Sequence, residues 1–408
     1  MQSIIGSHGF MGNISRLRIA QITFACHRRG GIERVVYELS KRFARDHEVH
    51  IFAGTCELES EGVTFHKLSV IPWPWVVNHL SYFLMTRLAL RREQARRPFD
   101  IVHVQGIPAA IYSDFTTAHS VHSVGTDHQK KIMPLRKKIS RYIKSGEPVI
   151  MWLTGYNFQP GRCRHIIAIS EQVKRDVVAT FGMPSENIEV IHNGVDVELF
   201  SPARCHKVRS TMRSKLDLSP EATVAVFVAN EFQRKGLDKL LKSLARIDHL
   251  QRPYLIVVGD TRDSILTLSD CKQLVTELGI NPWVRFVGAV ENVEDFFATA
   301  DFFVLPTIYE AFGLVILEAL ASGLPAVFSR LAGASDIVED GREALLIQNP
   351  RDQDEIAAKM LTLIRNPALR MRMGKAARET ALKYSWDIIA ERTLTLYRNF
   401  LSQCSVWL

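Results

Sequence analysis

Glu310 and Glu318 bracket seven residues in Glu310-Ala311-Phe312-Gly313-Leu314-Val315-Ile316-Leu317-Glu318, directly after the apolar run Phe302 to Pro306. Val304 and Leu305 read as a buried strand, Pro306 to Ala311 as a loop, and Gly313 onward as an apolar helix. A helix opened by glycine presents unpaired backbone N–H groups and the positive end of its dipole, which suits an anionic phosphate. Carboxylates beside a phosphate would repel it. Glu310 and Glu318 are therefore placed to accept hydrogen bonds from hydroxyls on either side of a diphosphate, the chemistry of a nucleotide sugar. A solvated face or a helix cap would explain an isolated pair of glutamates. Glu318, however, lies between Leu317 and Ala319 in a helix apolar all round, where a carboxylate needs a partner.

Two further loops carry related chemistry. Arg234-Lys235-Gly236 follows the apolar run Val224 to Ala229 and precedes a helical pattern from Leu237, so a planar fork and a point charge sit together at a strand-to-helix loop. Arg28-Arg29-Gly30-Gly31 opens the helical pattern Ile32 to Phe43; paired glycines allow close backbone approach, in neither the dinucleotide nor the Walker spacing. His119 and His122 stand at the carboxyl end of an apolar strand, and His103 and His192 are also expected at strand ends. No compact carboxylate and cysteine set accompanies them as metal ligands. Asp260-Thr261-Arg262-Asp263 could mimic an acidic metal motif, but a helix cap accounts for it equally well.

These loops need strands and helices behind them. At 408 residues the chain is long enough for two domains of roughly 200 residues each. Strands are expected at Arg18 to Thr23, Glu48 to Ala53, Asp100 to Val104, Asp114 to Ala118 and His165 to Ser170. A second series is expected at Thr223 to Ala229, Tyr254 to Gly259, Trp283 to Val287, Asp301 to Leu305 and Pro325 to Phe328. Helical segments between them imply an α/β chain of two doubly wound parallel sheets, with the site in the cleft outside the strands' carboxyl ends. The expected division is a loose tail over 1–16, a first Rossmann-like domain over 17–200, a second over 201–385, and a helix over 386–408 packing back on the first. Asn193 to Lys215 reads as the linker.

The net charge is +8, with Lys130, Lys131, Arg136, Lys137, Lys138, Arg141 and Lys144 uninterrupted by acid and interleaved with apolar side chains. Residues 130–144 could meet an anionic lipid surface or a phosphorylated acceptor. Nucleic acid is excluded as a partner because no reader module or stacking series accompanies the charge. The cysteines form no framework and read as reduced. No apolar run resembles a signal peptide or a membrane span, so a cytoplasmic chain is expected, peripheral at most on the inner face of the cytoplasmic membrane.

The Glu310 to Glu318 stretch with Ala321-Ser322-Gly323-Leu324-Pro325, then Arg234-Lys235-Gly236, then Ile169-Ser170-Glu171 and Ile191-His192-Asn193-Gly194, resembles the retaining GT-B glycosyltransferases. That group includes bacterial lipopolysaccharide-core glucosyltransferases, mannosyltransferases and sucrose synthases, and the resemblance extends from about residue 17 over nearly the whole chain. It implies two facing Rossmann-like domains with a C-terminal helix crossing back. By the same similarity Glu318 would bind the nucleotide ribose and Glu310 the donor sugar's hydroxyls. The amides of Phe312, Gly313 and Leu314, with Arg234 and Lys235, would hold the diphosphate; Gly30 and Gly31 would approach it from the first domain. His119 matches the histidine that contacts the donor sugar near the reacting carbon, His122 less well. Catalytic roles then fall to His119, Glu310, Arg234 and Lys235, without metal or cofactor. The substrates would be a UDP-sugar, or alternatively a GDP-sugar, and a glycan or lipid-linked acceptor in cell-surface polysaccharide or lipopolysaccharide biosynthesis. The competing reading is a noncatalytic protein that binds glycan or membrane on the same fold. Three departures from the family pattern stand out: Ser335-Asp336 in place of Pro-Glu, Ala344 in place of glycine, and Gln105 in place of a frequent second histidine.

Overall fold

The computed structural model describes residues 16–71, 75–106, 112–121, 155–158, 161–260 and 266–405. His122, residues 130–144, Thr261, Arg262, Asp263 and nearly all of the expected tail lie outside them.

Two parallel sheets organise the chain. The strands are β1 (Arg18–Ile22), β2 (Ala25–Cys26), β3 (Glu48–Ala53), β4 (Thr55–Cys56), β5 (Val63–Lys67), β6 (Ile101–Gln105), β7 (Ser113–Ala118), β8 (Cys163–Ala168) and β9 (Ile188–Val190). They continue with β10 (Val224–Val228), β11 (Tyr254–Val258), β12 (Val284–Gly288), β13 (Phe302–Leu305), β14 (Ala326–Ser329) and β15 (Ala344–Ile347). The first sheet runs β5-β3-β1-β6-β7-β8-β9 and the second β12-β11-β10-β13-β14-β15, while β2 and β4 pair separately. Strand order reverses between β1 and β6 in one sheet and between β10 and β13 in the other. Those switch points open crevices at the carboxyl ends of the strands. The central strands are buried on both faces, as Ile-Val-His-Val-Gln in β6 and Val-Ala-Val-Phe-Val in β10 illustrate.

Sequence patterning misses β5, β9 and β15. β5 is an edge strand with mostly half-exposed or exposed residues, β9 has 3 residues, and Ala-Leu-Leu-Ile in β15 has no period that separates strand from helix. The linker assignment also needs correction, because Pro202–Lys215 is a helix. Its three arginines are structural. Arg204 pairs with Asp295 at 2.9 Å, and Arg209 and Arg213 grip the two oxygens of Asp301 at 2.5 and 3.0 Å. A polar, basic run thus resembles a linker only until its carboxylate partners, about ninety residues away, are in place.

The Trp386–Ser405 helix packs on the first sheet's core through Trp386, Ile389, Tyr397 and Phe400. Gly194 makes its entry possible, since a Cβ there would sit 2.6 Å from the Trp386 ring. Asp387 fastens the outer side to Arg42 at 3.1 Å and Arg45 at 2.6 Å. Cys26, Cys56, Cys163, Cys205 and Cys271 are in no disulfide, and no helix among the described residues is long and apolar enough to cross a membrane.

Candidate active site

The loops after β10 and β13 meet at the second sheet's switch point. Gly236 has φ +79°, and a Cβ on it would lie 2.2 Å from the Pro306 carbonyl oxygen, so only glycine lets the two loops close to backbone contact. The Ile308 N–H then donates to the Arg234 carbonyl at 3.0 Å. Arg234 Nη1 donates to the Tyr309 carbonyl at 2.7 Å and reaches Glu310 Oε2 at 3.3 Å, where the Lys235 ammonium also binds. Burial first, and Arg234 second, press Lys235 well below the usual lysine range. The Glu231 carboxylate opposes both, and the Glu310 carboxylate in direct contact favours the ammonium form. Two cations and one carboxylate thus share a half-buried site.

Glu310 is held from the other side as well. Gly333 donates to the Glu310 carbonyl at 2.9 Å and Ala334 to that of Phe312 at 2.8 Å. Gly313, at φ +96°, turns the chain into the Leu314–Ala321 helix; a Cβ there would stand 3.1 Å from Glu310 Cγ. No side chain caps this helix and no acid lies in its first turn, so its own side chains do not offset the positive end of its dipole, although the Ile316 N–H donates to the Gly313 carbonyl at 2.9 Å. Glu318 is buried one turn further on, and its carboxylate is paired: Arg34 Nη1, from the first domain, donates to it at 2.5 Å. Sequence reasoning demanded that partner but did not identify Arg34, whose only signal was its place after Gly30-Gly31.

The first domain supplies a wall of different character. Gly31, before the Ile32–Phe43 helix, has open space where a Cβ would point, whereas Gly30 at φ +84° is required by the turn. Arg29 is paired with Glu57 and Arg28 lies over the Tyr37 ring at 5.2 Å, so these two cations are partly engaged locally. His119 follows β7 directly and is buried, with Nε2 2.9 Å from Gln105 Oε1. Gln105 donates in turn to Gln21 Oε1 at 3.0 Å. A carbonyl oxygen accepts, so this contact assigns the His119 proton to Nε2 and leaves Nδ1 as an acceptor. Burial lowers both His119 and His103 to about 3, so both are neutral. His103 lies inside β6, not at its end, and binds Tyr397 Oη at 2.5 Å and Thr117 Oγ1 at 2.7 Å.

The domains touch beside Glu310. Ser170 caps the Glu171–Phe181 helix and donates to the Ala311 carbonyl at 2.7 Å. Asp336, one of the departures from the family pattern, accepts from the Glu171 N–H at 2.7 Å and lies 3.5 Å from His192. Ala344 belongs to β15, away from these groups. Among the described residues no group of three or more His, Cys, Asp or Glu could hold a metal.

Known proteins share this fold. Residues 29–199 match the model of Glycosyltransferase Family 4 and residues 208–380 that of Glycosyl transferases group 1. A D-inositol 3-phosphate glycosyltransferase of Streptomyces bingchenggensis is 30% identical over 396 residues, covering 90% of this chain and 84% of that one. Among solved structures, WaaG, a glycosyltransferase involved in lipopolysaccharide biosynthesis, superposes with a TM-score of 0.75 at 18% identity over 93% of this chain and 99% of its own. Anabaena HepE in complex with UDP-glucose gives 0.70 at 17% identity over 96% and 100%. With both halves matched and the two sheets facing each other as in these structures, the chain belongs to the glycosyltransferases of the GT-B fold.

Proposed function

We propose that this glycosyltransferase moves a hexose, with retention of anomeric configuration and without metal, from a nucleoside diphosphate to a hydroxyl of a glycan or lipid-linked acceptor. The observation that carries the reading is the convergence of Arg234, Lys235 and Glu310 beside the uncapped helix that leads to Glu318. The bond from the anomeric carbon to the diphosphate oxygen breaks and a bond to the acceptor oxygen forms. The acceptor's proton departs to the leaving diphosphate or to solvent. Charge grows on the diphosphate, and Arg234, Lys235 and the amides of Phe312, Gly313 and Leu314 would meet it.

Glu310, already fixed by the two cations, would take hydroxyls of the sugar, and Glu318 those of the ribose. Neutral His119 offers Nδ1 to a sugar hydroxyl and adds no positive charge beside a reacting centre that becomes positive. Gly30 and Gly31 would close on the diphosphate from the first domain. A UDP-sugar is the favoured donor and a GDP-sugar the alternative. The role would lie in cell-surface polysaccharide or lipopolysaccharide synthesis, at the inner face of the cytoplasmic membrane, with residues 130–144 meeting lipid or acceptor. A phosphorylated small acceptor is the second reading, favoured by the relatives named for D-inositol 3-phosphate.

The test is a thermal-shift panel of UDP-, GDP-, ADP- and dTDP-sugars on wild type and Glu318→Ala, with and without EDTA, followed by NMR of the product's anomeric configuration. Stabilisation by one donor, lost in the variant and unchanged by EDTA, is expected. Stabilisation by none, or an inverted product, would sink the reading.

A further inference from the structure

Arg34 lies on the first turn of the Ile32–Phe43 helix, three residues beyond Gly31. It crosses the domain boundary to Glu318, with side chains 26% and 5% exposed, and so occupies an oxygen of the carboxylate assigned above to the ribose hydroxyls. Its Nε is buried and has no hydrogen-bond partner among the described residues. A guanidinium carries five donors in a rigid fork, and a cation satisfied on one side only is held at a cost. The group that would satisfy the remainder is a second anion.

On the donor-site reading, on which this inference rests, such an anion arrives next to it. The diphosphate would lie between the Gly30-Gly31 turn and the start of the Leu314–Ala321 helix. Each is about one helical turn from the Arg34–Glu318 contact.

We propose that Arg34 changes partners during the catalytic cycle: it holds Glu318 in the ligand-free protein and turns to the donor's diphosphate once the nucleoside hydroxyls take that carboxylate. Neither charge is then left buried alone in either state. The nucleoside and the diphosphate make opposite demands on Arg34. A nucleoside without phosphates must displace the guanidinium and gives it nothing in return, whereas a nucleoside diphosphate supplies the replacement anion. Arg34 would thus make the site discriminate against nucleosides and for their diphosphates.

The experiment is isothermal titration of wild type, Arg34→Met and Arg34→Lys with uridine and UDP, and in parallel with guanosine and GDP. Arg34→Met is expected to bind the nucleoside about tenfold more tightly and the diphosphate about tenfold more weakly, each the size of one charged hydrogen bond. Arg34→Lys should recover part of the diphosphate affinity. Affinities that move in the same direction for both ligands, or that do not move, would overturn the partner exchange. If Arg34→Met does not fold by circular dichroism, Arg34→Gln is read in the same way. Glu318→Ala separates the underlying reading: wild-type nucleoside affinity in that variant, or no binding of any nucleotide to wild type, would remove the ribose assignment itself and the exchange with it.

Discussion

The two walls of the cleft are built on opposite electrostatic plans. In the second domain, Arg234, Lys235 and Glu310 are charged groups gathered within contact distance and fixed by backbone. In the first, His119, Gln105, Gln21 and His103 form a buried, neutral hydrogen-bond network that reaches Tyr397 of the last helix. The difference follows from what each would face. A leaving diphosphate needs compensation by full charges, whereas a sugar ring needs directional hydrogen bonds and a neighbour that does not oppose positive charge at its reacting carbon.

The sharpest way to break this contrast is to remove charge on one side and orientation on the other. Lys235→Ala should lower kcat about 10²- to 10³-fold in steady-state assays, the cost of one preorganised donor at a developing anion. An unchanged kcat would mean that the second wall is structural. His119→Ala should cost less, about 10- to 100-fold, and Gln105→Leu about tenfold, because the latter only frees the imidazole to rotate. An equal loss in Gln105→Leu and His119→Ala would show that orientation is the whole contribution of the histidine.

Stability sharpens the comparison further. The neutral wall should be the acid-sensitive one. His103 and His119 both have folded values of about 3, below the ordinary value near 6.5. As pH falls below 6.5 the unfolded chain takes up protons that the folded chain refuses, so stability declines by about 1.4 kcal/mol per pH unit per histidine on the way to about 3. Denaturant melts between pH 7 and 5 should show this slope, and His103→Gln should reduce it. Gly236→Ala tests the charged wall by geometry: the collision with Pro306 should cost about 1–3 kcal/mol and separate Lys235 from Glu310. The smallest effect is expected for Ser170→Ala, about 1 kcal/mol for a contact that joins the walls without charge.

Apolar strand runs alternating with helical ones determined two doubly wound domains, because the period of burial is written locally along the chain. The spacing of Glu310 and Glu318 about a glycine, and Arg234-Lys235 ahead of another, determined a phosphate-binding candidate for the same reason: loop, helix start and side chains are contiguous. Local patterning failed where an element owes its existence to distant partners. The Pro202–Lys215 helix depends on Asp301, and β15 on its place beside β14. Gln105 could be recognised as a departure but not as the group that orients His119, and Asp336 could not be seen to cap a helix of the other domain. Arg34 is the clearest case. That Glu318 needs a partner follows from its apolar neighbours alone; that the partner comes from 284 positions earlier in the chain is settled only when the two sheets face each other. Burial patterns are one-dimensional and survive in the sequence, whereas the pairing of charges across a cleft is a distance in space.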